Sequence, residues 1–555
     1  MPPRLLHTCQ TCRAQSIVQQ ALRRAYSTPP ARPPLQLAII GSGPAGFYSA
    51  YRLLKKLPDA QITMFEQLPV PYGLARYGVA PDHPEVKKCT ETLETVARES
   101  PTNFNFCGNT PIGTGPGSLP LTTLAPHFDA ILFAYGAGKD KQLGIPGEGL
   151  TNIISARAFV GWYNGLPEYA DLHPDLQAGE TAVIIGQGNV ALDVTRTLLS
   201  PLDELRKTDI NEETISALSE SKIRDVKVIG RRGPLQAPYT IKELRELMHL
   251  FDVGFAPPPE SWDDLLQAPL KKLPRQLKRI AELLQKGSKS SVQDSSKAWQ
   301  LGFLRSPAAF LSSDSTTLQA VGFEQMEYER PLSELLSGDA QTDLNNLRAA
   351  KVKPTGRKTS VRAELAFRSV GYLSEALEGM QEIGVPFDSV RGVVPNDRWG
   401  RVIAPATGEQ STGFPGEAYA ESEGRRTGAS DEKVRRTDPG ISPEAHHVAG
   451  MYCAGWVKRG PTGVIASTLD DAFITADAIA HDWESGSPFA NHNNESGGRG
   501  GWETLRREVE ARGIRHVSWQ EWEKIDAVEK ERGRERGKIR EKIRRVDEML
   551  QVIDS

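Results

Sequence analysis

Two glycine clusters carry the first chemistry in this sequence. Gly41-Ser42-Gly43-Pro44-Ala45-Gly46 follows the apolar run 35–40 and opens a helical pattern through Phe47, Ala50, Leu53 and Leu54. In such a turn Gly41 lets the chain leave its strand tightly, Gly43 lets the backbone approach a pyrophosphate, and Gly46 lets helix and strand pack closely. The phosphate then sits at a helix N-terminus, where free N–H groups and the dipole favour negative charge. Glu66 lies 20 residues beyond Gly46, at the end of the next apolar run, and can accept hydrogen bonds from a ribose. A carboxylate there repels a 2′-phosphate, so this turn suits FAD or NAD rather than NADP.

The second cluster is Gly186-Gln187-Gly188-Asn189-Val190-Ala191. Alanine replaces the third glycine, which slightly loosens helix–strand packing. Beyond the next apolar run, 226–229, stand Arg231 and Arg232, where an NAD site would carry a carboxylate. Two guanidinium forks match a 2′-phosphate by charge and geometry. The bland alternative is a solvated arginine pair. Two different nucleotides are thus specified, and NADPH at the second turn can reduce a flavin at the first.

The elements that must position these turns read as strand, turn, helix, strand, twice. Runs 35–40 and 60–65 flank the first cluster, 130–134 is a further buried strand, and 181–185 and 226–229 flank the second. The predicted fold is α/β, with two Rossmann-like dinucleotide-binding domains, one for FAD and one for NADP. The expected order is a transit peptide at 1–26, a first FAD-binding segment at 35–149 and an NADP-binding domain at 150–367. A second FAD-binding segment at 368–483, a linker at 484–501 and a helical extension at 502–555 complete it. Residues 405–447, with many Gly, Glu, Ser and Arg but few large apolar side chains, read as a disordered insertion. The Lys/Glu/Arg-rich extension reads as solvated helices, a polar appendage to the core.

The 555 residues are too many for one core, and 39% apolar and 25% charged residues are ordinary for a globular protein. A net charge of −3 argues against a protein built to coat nucleic acid, so any charged partner must meet a local patch. No apolar run is long enough to span a bilayer, which leaves a soluble or peripheral protein. Five scattered cysteines do not suggest a disulfide framework, and no metal site is read. Cys9-x-x-Cys12 could be a redox pair or half a zinc site, but no second pair follows at zinc spacing. No Asp or Glu precedes Asp59, whereas Arg4, Arg13, Arg23, Arg24 and Arg32 are present. That composition reads as a mitochondrial transit peptide, with an unstructured tail as the rival reading. Arg24-Ala25-Tyr26-Ser27 resembles a matrix-processing site, cut after Tyr26, and Cys9 and Cys12 would leave with the leader.

Four longer motifs are more specific: Pro71-Tyr-Gly-Leu-Ala-Arg-Tyr-Gly-Val-Ala-Pro-Asp-His-Pro84, Ser155-Ala-Arg-Ala-Phe-Val-Gly-Trp-Tyr-Asn-Gly-Leu-Pro167, Gly186-Gln-Gly-Asn-Val-Ala-Leu-Asp193 and Gly455-Trp-Val-Lys-Arg-Gly-Pro-Thr-Gly-Val-Ile465. In this order they resemble the adrenodoxin reductase family, mitochondrial ferredoxin–NADP reductases with a glutathione-reductase-like fold. The resemblance covers 35–482, and more weakly 512–553. It implies FAD contacts at Ala45, Glu66, Leu74, Thr110, Trp456 and the backbone of Gly463, Val464 and Ile465. Thr110 stands where the family would place an aliphatic residue, which a backbone contact tolerates. NADP contacts are implied at Gln187, Gly188, Asn189, Val190, Arg231, Arg232, Glu243 and Gly463. His83 and Asp193 become candidates for proton handling at the flavin–nicotinamide junction, with a hydrogen-bonded buried pair as the structural alternative. Arg245, Arg275 and Arg279 become docking residues for an acidic 2Fe–2S ferredoxin. By itself the basic run 271–279 is more often a solvated face.

Disulfide reductases of this fold keep a Cys pair beside the flavin. Here the first flavin helix has none, and Gly455 is followed by Trp456, so electrons must leave the flavin edge for an external carrier. NADPH gives two electrons as hydride, flavin can release them singly, and a 2Fe–2S protein takes one at a time. The expected activity is that of a mitochondrial NADPH:ferredoxin oxidoreductase supplying iron–sulfur cluster, haem or sterol/P450 chemistry. A monomer is expected, in the matrix or peripheral on the inner membrane. The rivals are an NADPH-dependent disulfide or quinone reductase, disfavoured by the missing Cys pair, and a non-catalytic nucleotide sensor.

Overall fold

In Gln36–Ile40 and Gln61–Phe65 every residue but the first is buried. Such strands need cover on both faces, and the crossover helix α1 (Pro44–Lys56) supplies it on one. The computed structural model describes residues 33–266, 270–405, 446–490 and 500–555. The expected transit peptide lies outside these, as does most of the expected 405–447 insertion.

The first sheet among the described residues has six strands. In spatial order they are Arg401–Ala404, His446–Cys453, Ala130–Phe133, Gln36–Ile40, Gln61–Phe65 and Phe104–Cys107. All neighbours are parallel except Arg401–Ala404 with His446–Cys453. Ile40 lies level with Phe65 and Phe133, so three strands end together where the first glycine turn departs. Because a strand begins at His446, the insertion expected to reach residue 447 overran it by two residues.

The second sheet is parallel throughout: Ile153–Ser155, Leu365–Arg368, Thr181–Ile185, Asp225–Ile229, Lys297–Gly302 and Val253–Ala256. Arg368 still pairs with Ser155 and Ile185, so this sheet ends one residue later than the expected boundary at 367. Helix α2 (Asn189–Leu199) leaves the second glycine turn. Helices α3 (Ile241–Met248) and α4 (Arg275–Lys286) follow, and α4 turns Leu277, Ile280, Ala281 and Leu284 inward at helical spacing. A three-stranded antiparallel sheet packs Phe310, Val321 and Phe323 against Val183, Ile185 and Ile229. The chain crosses between the two large sheets twice, and the crossings pair as a ribbon of Lys139–Asp140 with Tyr372–Leu373.

Helix α5 (Ile465–Glu484) runs parallel to α1: Ser49 Oγ donates to Ala472 O, and Arg52 grips Asp477 at 2.7 and 2.8 Å. The expected linker 484–501 is shorter at both ends, since Glu484 closes α5 and Gly501 opens α6 (Gly501–Ala511). Within it Phe489 is buried against Tyr452 and Trp483.

The C-terminal extension is helical, yet it is not the solvated appendage its charge content suggests. Trp502, Leu505, Val509 and Ile514 join the core of the first sheet. Helix α7 (Trp519–Glu535) sets Trp519 against Phe47 and Phe106, and Trp522 against Tyr72. Several charges of the extension are nevertheless buried in ion pairs. Arg76 Nη2 donates to both oxygens of the inaccessible Glu529 at 2.5 and 2.7 Å, and Lys542 and Lys87 lie 2.8 and 2.7 Å from Asp209.

Candidate active site

The first glycine turn leaves Ile40 with Gly41 at φ +105°, and a Cβ there would come within 2.6 Å of Tyr135 Cα. A Cβ on Gly46 would lie 2.3 Å from Gly41 O. At Gly43, which caps α1, a Cβ would meet nothing within 4 Å. The turn is thus closed toward the protein and open where an anion would approach the α1 N-terminus. Gly136 and Gly138, beyond the neighbouring strand, also face open space. Glu66 Oε2 accepts from Ser42 N and Oγ at 3.1 and 2.6 Å, and Oε1 accepts from Leu68 N at 3.2 Å. Burial pushes its carboxyl up, and these bonds oppose that shift while fixing it at the turn.

Other FAD-site candidates gather around this turn. Tyr72 N donates to Ser42 O, which brings Gly73 against Gly43, one residue before Leu74. Thr110 is buried and its backbone N–H donates to Glu66 O at 2.8 Å, so its side chain is not what meets the turn. A Cβ on Gly455 would strike Ala45 Cβ at 2.6 Å. Its N–H donates to Asp471 Oδ2 at 2.6 Å, and Asp471 also holds Lys458 at 2.9 Å. Trp456 stacks on Tyr372 at 5.6 Å and 24°. Arg459 Nη2 reaches Ser467 and Thr468, tying this segment to the first turn of α5, where Gly463 and Val464 are exposed ahead of Ile465. Because α1 and α5 run parallel, both N-termini lie at the same end of the pair.

The second turn repeats the design. Gly186 has φ +121°, and a Cβ would sit 2.0 Å from Ser369 O, while Gly188, capping α2, faces open space. Gln187 Nε2 donates to Val228 O and Gly302 O at 3.2 and 2.8 Å, so its side chain ties strand ends together and only its backbone is left for the nucleotide contact expected of it. Asn189 Oδ1 accepts from Thr240 N, and Val190 is partly buried. Arg231 and Arg232 are exposed, and neither has an ion-pair partner among the described residues.

His83 and Asp193 are not bonded to each other. His83 Nε2 lies 2.7 Å from Glu246 Oε2, and Asp193 Oδ1 accepts from Arg196 Nη2 at 2.7 Å. Arg196 also binds Glu243 at 2.9 Å, and Glu243 stands 4.0 Å from His83, so the candidates share a network. Burial raises the Asp193 carboxyl against the pull of Arg196. His83, Glu243 and Glu246 bring ligand atoms within 4.8 Å of one another. Arg196 and Lys242 stand against the same carboxylates, so a divalent cation would meet two fixed positive charges. Arg245 on α3 and Arg275 and Arg279 on α4 are exposed.

No family model matches the chain. The mitochondrial NADPH:adrenodoxin oxidoreductase of Salvelinus fontinalis is 39% identical over 535 residues, spanning 95% of this chain and 92% of that one. That of Mus musculus is 39% identical over 529 residues, spanning 93% and 91%. The structure of Mycobacterium tuberculosis FprA in complex with NADPH matches at a TM-score of 0.74 and 30% identity, covering 94% of this chain and all of that one. The chain belongs to the NADPH:adrenodoxin oxidoreductase family. The resemblance read from its motifs is thereby borne out.

For a member of this oxidoreductase family, sequence reading missed one residue inside a quoted motif, Asp82, and three outside the motifs. Asp82, Arg196 and Glu246 complete the network at His83 and Asp193, and Tyr372 completes the wall at Trp456. The signal available was the spacing Asp193-x-x-Arg196 and Glu243-x-x-Glu246, which puts each pair on one helical face.

Proposed function

We infer that the protein is an FAD-dependent NADPH–ferredoxin reductase, delivering electrons from NADPH to an acidic 2Fe–2S ferredoxin. The observation that carries this reading is the opposite charge of two otherwise similar turns: Glu66 at the first, and at the second Arg231 and Arg232, which have no ion-pair partner among the described residues. When bound, FAD supplies the exchange between two-electron and one-electron transfer. The protein's own groups bind and orient. The N-termini of α1 and α2 would each face a diphosphate. Glu66 would accept from the ribose of FAD, and Arg231 and Arg232 would fork the 2′-phosphate of NADPH. Trp456 on Tyr372 would wall the junction, with the backbone of 463–465 as donors. At that junction a buried Asp193 carboxyl could hold a proton, as could His83 Nε2 beside Glu246.

A dithiol exit through Cys107 and Cys453 is disfavoured. Cys107 and Cys453 lie on strands four places apart in the first sheet, about 19 Å at the usual strand spacing. That is far beyond disulfide reach. An external carrier fits better, met by the basic face of α3 and α4. Rim charges act mainly on association rate and its salt dependence. Reversing Arg275 and Arg279 to Glu should therefore slow ferredoxin-dependent cytochrome c reduction, most visibly at low salt. NADPH-to-ferricyanide activity should survive, because that small acceptor needs no docking surface. Equal loss of both activities would make the patch structural. The wider reading is tested by the same assay with and without added ferredoxin, which should raise cytochrome c reduction strongly.

The mitochondrion belongs to the proposal, as a monomer in the matrix or against the inner membrane. The relatives' names carry that compartment, and residues 1–26 have a leader's composition. Among the described residues no helix is long and apolar enough to cross a membrane. Protein taken from the organelle should begin at Ser27, and N-terminal sequencing that returned Met1 would contradict this.

A further inference from the structure

We propose that Arg196 is a positioning residue for hydride transfer: it locks the flavin-side segment 82–87 onto α2 and α3 and so sets how the two nucleotides meet. The proposal rests on the two-nucleotide reading above. The Arg196 side chain is 4% exposed. Its Nε and Nη2 reach Asp82 at 2.5 and 3.3 Å, Nη2 also reaches Asp193 at 2.7 Å, and Nη1 reaches Glu243 at 2.9 Å. One planar fork thus makes four bonds to three carboxylates, one from the first half and two from the second, where an ammonium has only three donors. Without it those like charges would face one another at low dielectric.

Segment 82–87 alternates acidic and basic side chains, and each finds a complement. Beyond Asp82, His83 meets Glu246 at 2.7 Å, Glu85 accepts from Lys242 at 2.8 Å, and Lys87 donates to Asp209 at 2.7 Å. All four partners lie in the half that carries the second glycine turn. The chain crosses between halves through a ribbon two residues long, which leaves their mutual angle to contacts of this kind. Asp193 shares α2 with the Gly188 turn, so its bond to Arg196 links the proposed NADPH diphosphate site to the flavin side.

The test compares Arg196→Met, Arg196→Lys and Asp82→Asn as flavin-loaded proteins. Three quantities are read: anaerobic single-turnover flavin reduction by NADPH, NADP+ affinity by calorimetry, and hydrogen–deuterium exchange of 82–87. Arg196→Met should slow reduction about 100-fold, the order expected for misplacement by about 1 Å. Affinity for NADP+ should change less than about threefold, because the phosphate contacts are untouched. Exchange of 82–87 should rise, and Arg196→Lys should recover part of the rate. Asp82→Asn, at a partly exposed side chain, should move rate and exchange in the same direction by about tenfold in rate. Unchanged reduction, or rate and NADP+ affinity falling together, would overturn the proposal. If the Met variant does not fold, Asp82→Asn decides by the same criteria. Failure of the underlying reading looks different: NADPH would then leave the wild-type flavin oxidised.

Discussion

Replacing Arg231 and Arg232 together with alanine lowers kcat/KM for NADPH by about one to three decades and leaves that for NADH nearly unchanged. Both arginines follow the strand Asp225–Ile229, at the distance from Gly188 where a ribose partner belongs. Both are exposed without an ion-pair partner among the described residues, so their charge is available to a ligand. Charge-assisted hydrogen bonds to phosphate, discounted for exposure, put the joint loss at roughly 2–4 kcal/mol. NADH lacks the 2′-phosphate and has nothing to lose there. Steady-state kinetics with both coenzymes checks the result, and equal losses would remove the 2′-phosphate assignment.

Glu529→Gln should destabilise the protein by about 3–5 kcal/mol, the usual cost of leaving a buried ion pair half-made. Glu529 is inaccessible and accepts from Arg76, from Arg540 at 2.8 Å and from Ile543 N at 2.9 Å. Its loss strands Arg76, itself 5% exposed, beside Tyr77 and Trp522. Arg540 keeps Asp526 at 2.8 Å, so Arg76→Met with Glu529→Leu should recover much of the loss. Urea unfolding of the wild type and the two variants checks both signs. Burial raises the carboxyls of Glu529 and Asp209, but Arg76 and Arg540, and Lys542 and Lys87, outweigh it and hold both below their usual range. Groups whose folded pKa is depressed contribute fully above the unfolded value of about 4 and lose that contribution as pH falls toward the folded value. Stability should therefore drop on acidification below about pH 4, and less steeply in the Arg76→Met, Glu529→Leu protein.

Both effects also show what one dimension of sequence can carry. Glycine turns, strand ends and the opposite charges of Glu66 and Arg231 are local, and local steric rules make them legible. Arg196 joins residues 82, 193 and 243; helical spacing announces its pairing with Asp193, but nothing in the sequence announces the meeting with Asp82 and Glu243. The extension reads as solvated because composition counts Glu529, Lys538 and Lys542 as surface charges. The fold instead buries Glu529 against Arg76, Lys538 against Glu541 and Lys542 against Asp209. Gln187 sits in the turn where a nucleotide contact belongs, yet its amide bridges two strand ends, a use visible only once the sheet exists. Charged residues can be core when their partners come from far along the chain.

The central claim, two nucleotides with opposite charge preference feeding an external one-electron carrier, is tested most directly by anaerobic rapid mixing. The purified yellow protein is mixed with NADPH or with NADH, and then with oxidised 2Fe–2S ferredoxin. The account predicts rapid bleaching of the flavin by NADPH, far slower bleaching by NADH, and recovery of colour as the ferredoxin becomes reduced. A flavin that NADPH cannot bleach, or a bleached one that ferredoxin cannot reoxidise, would contradict it.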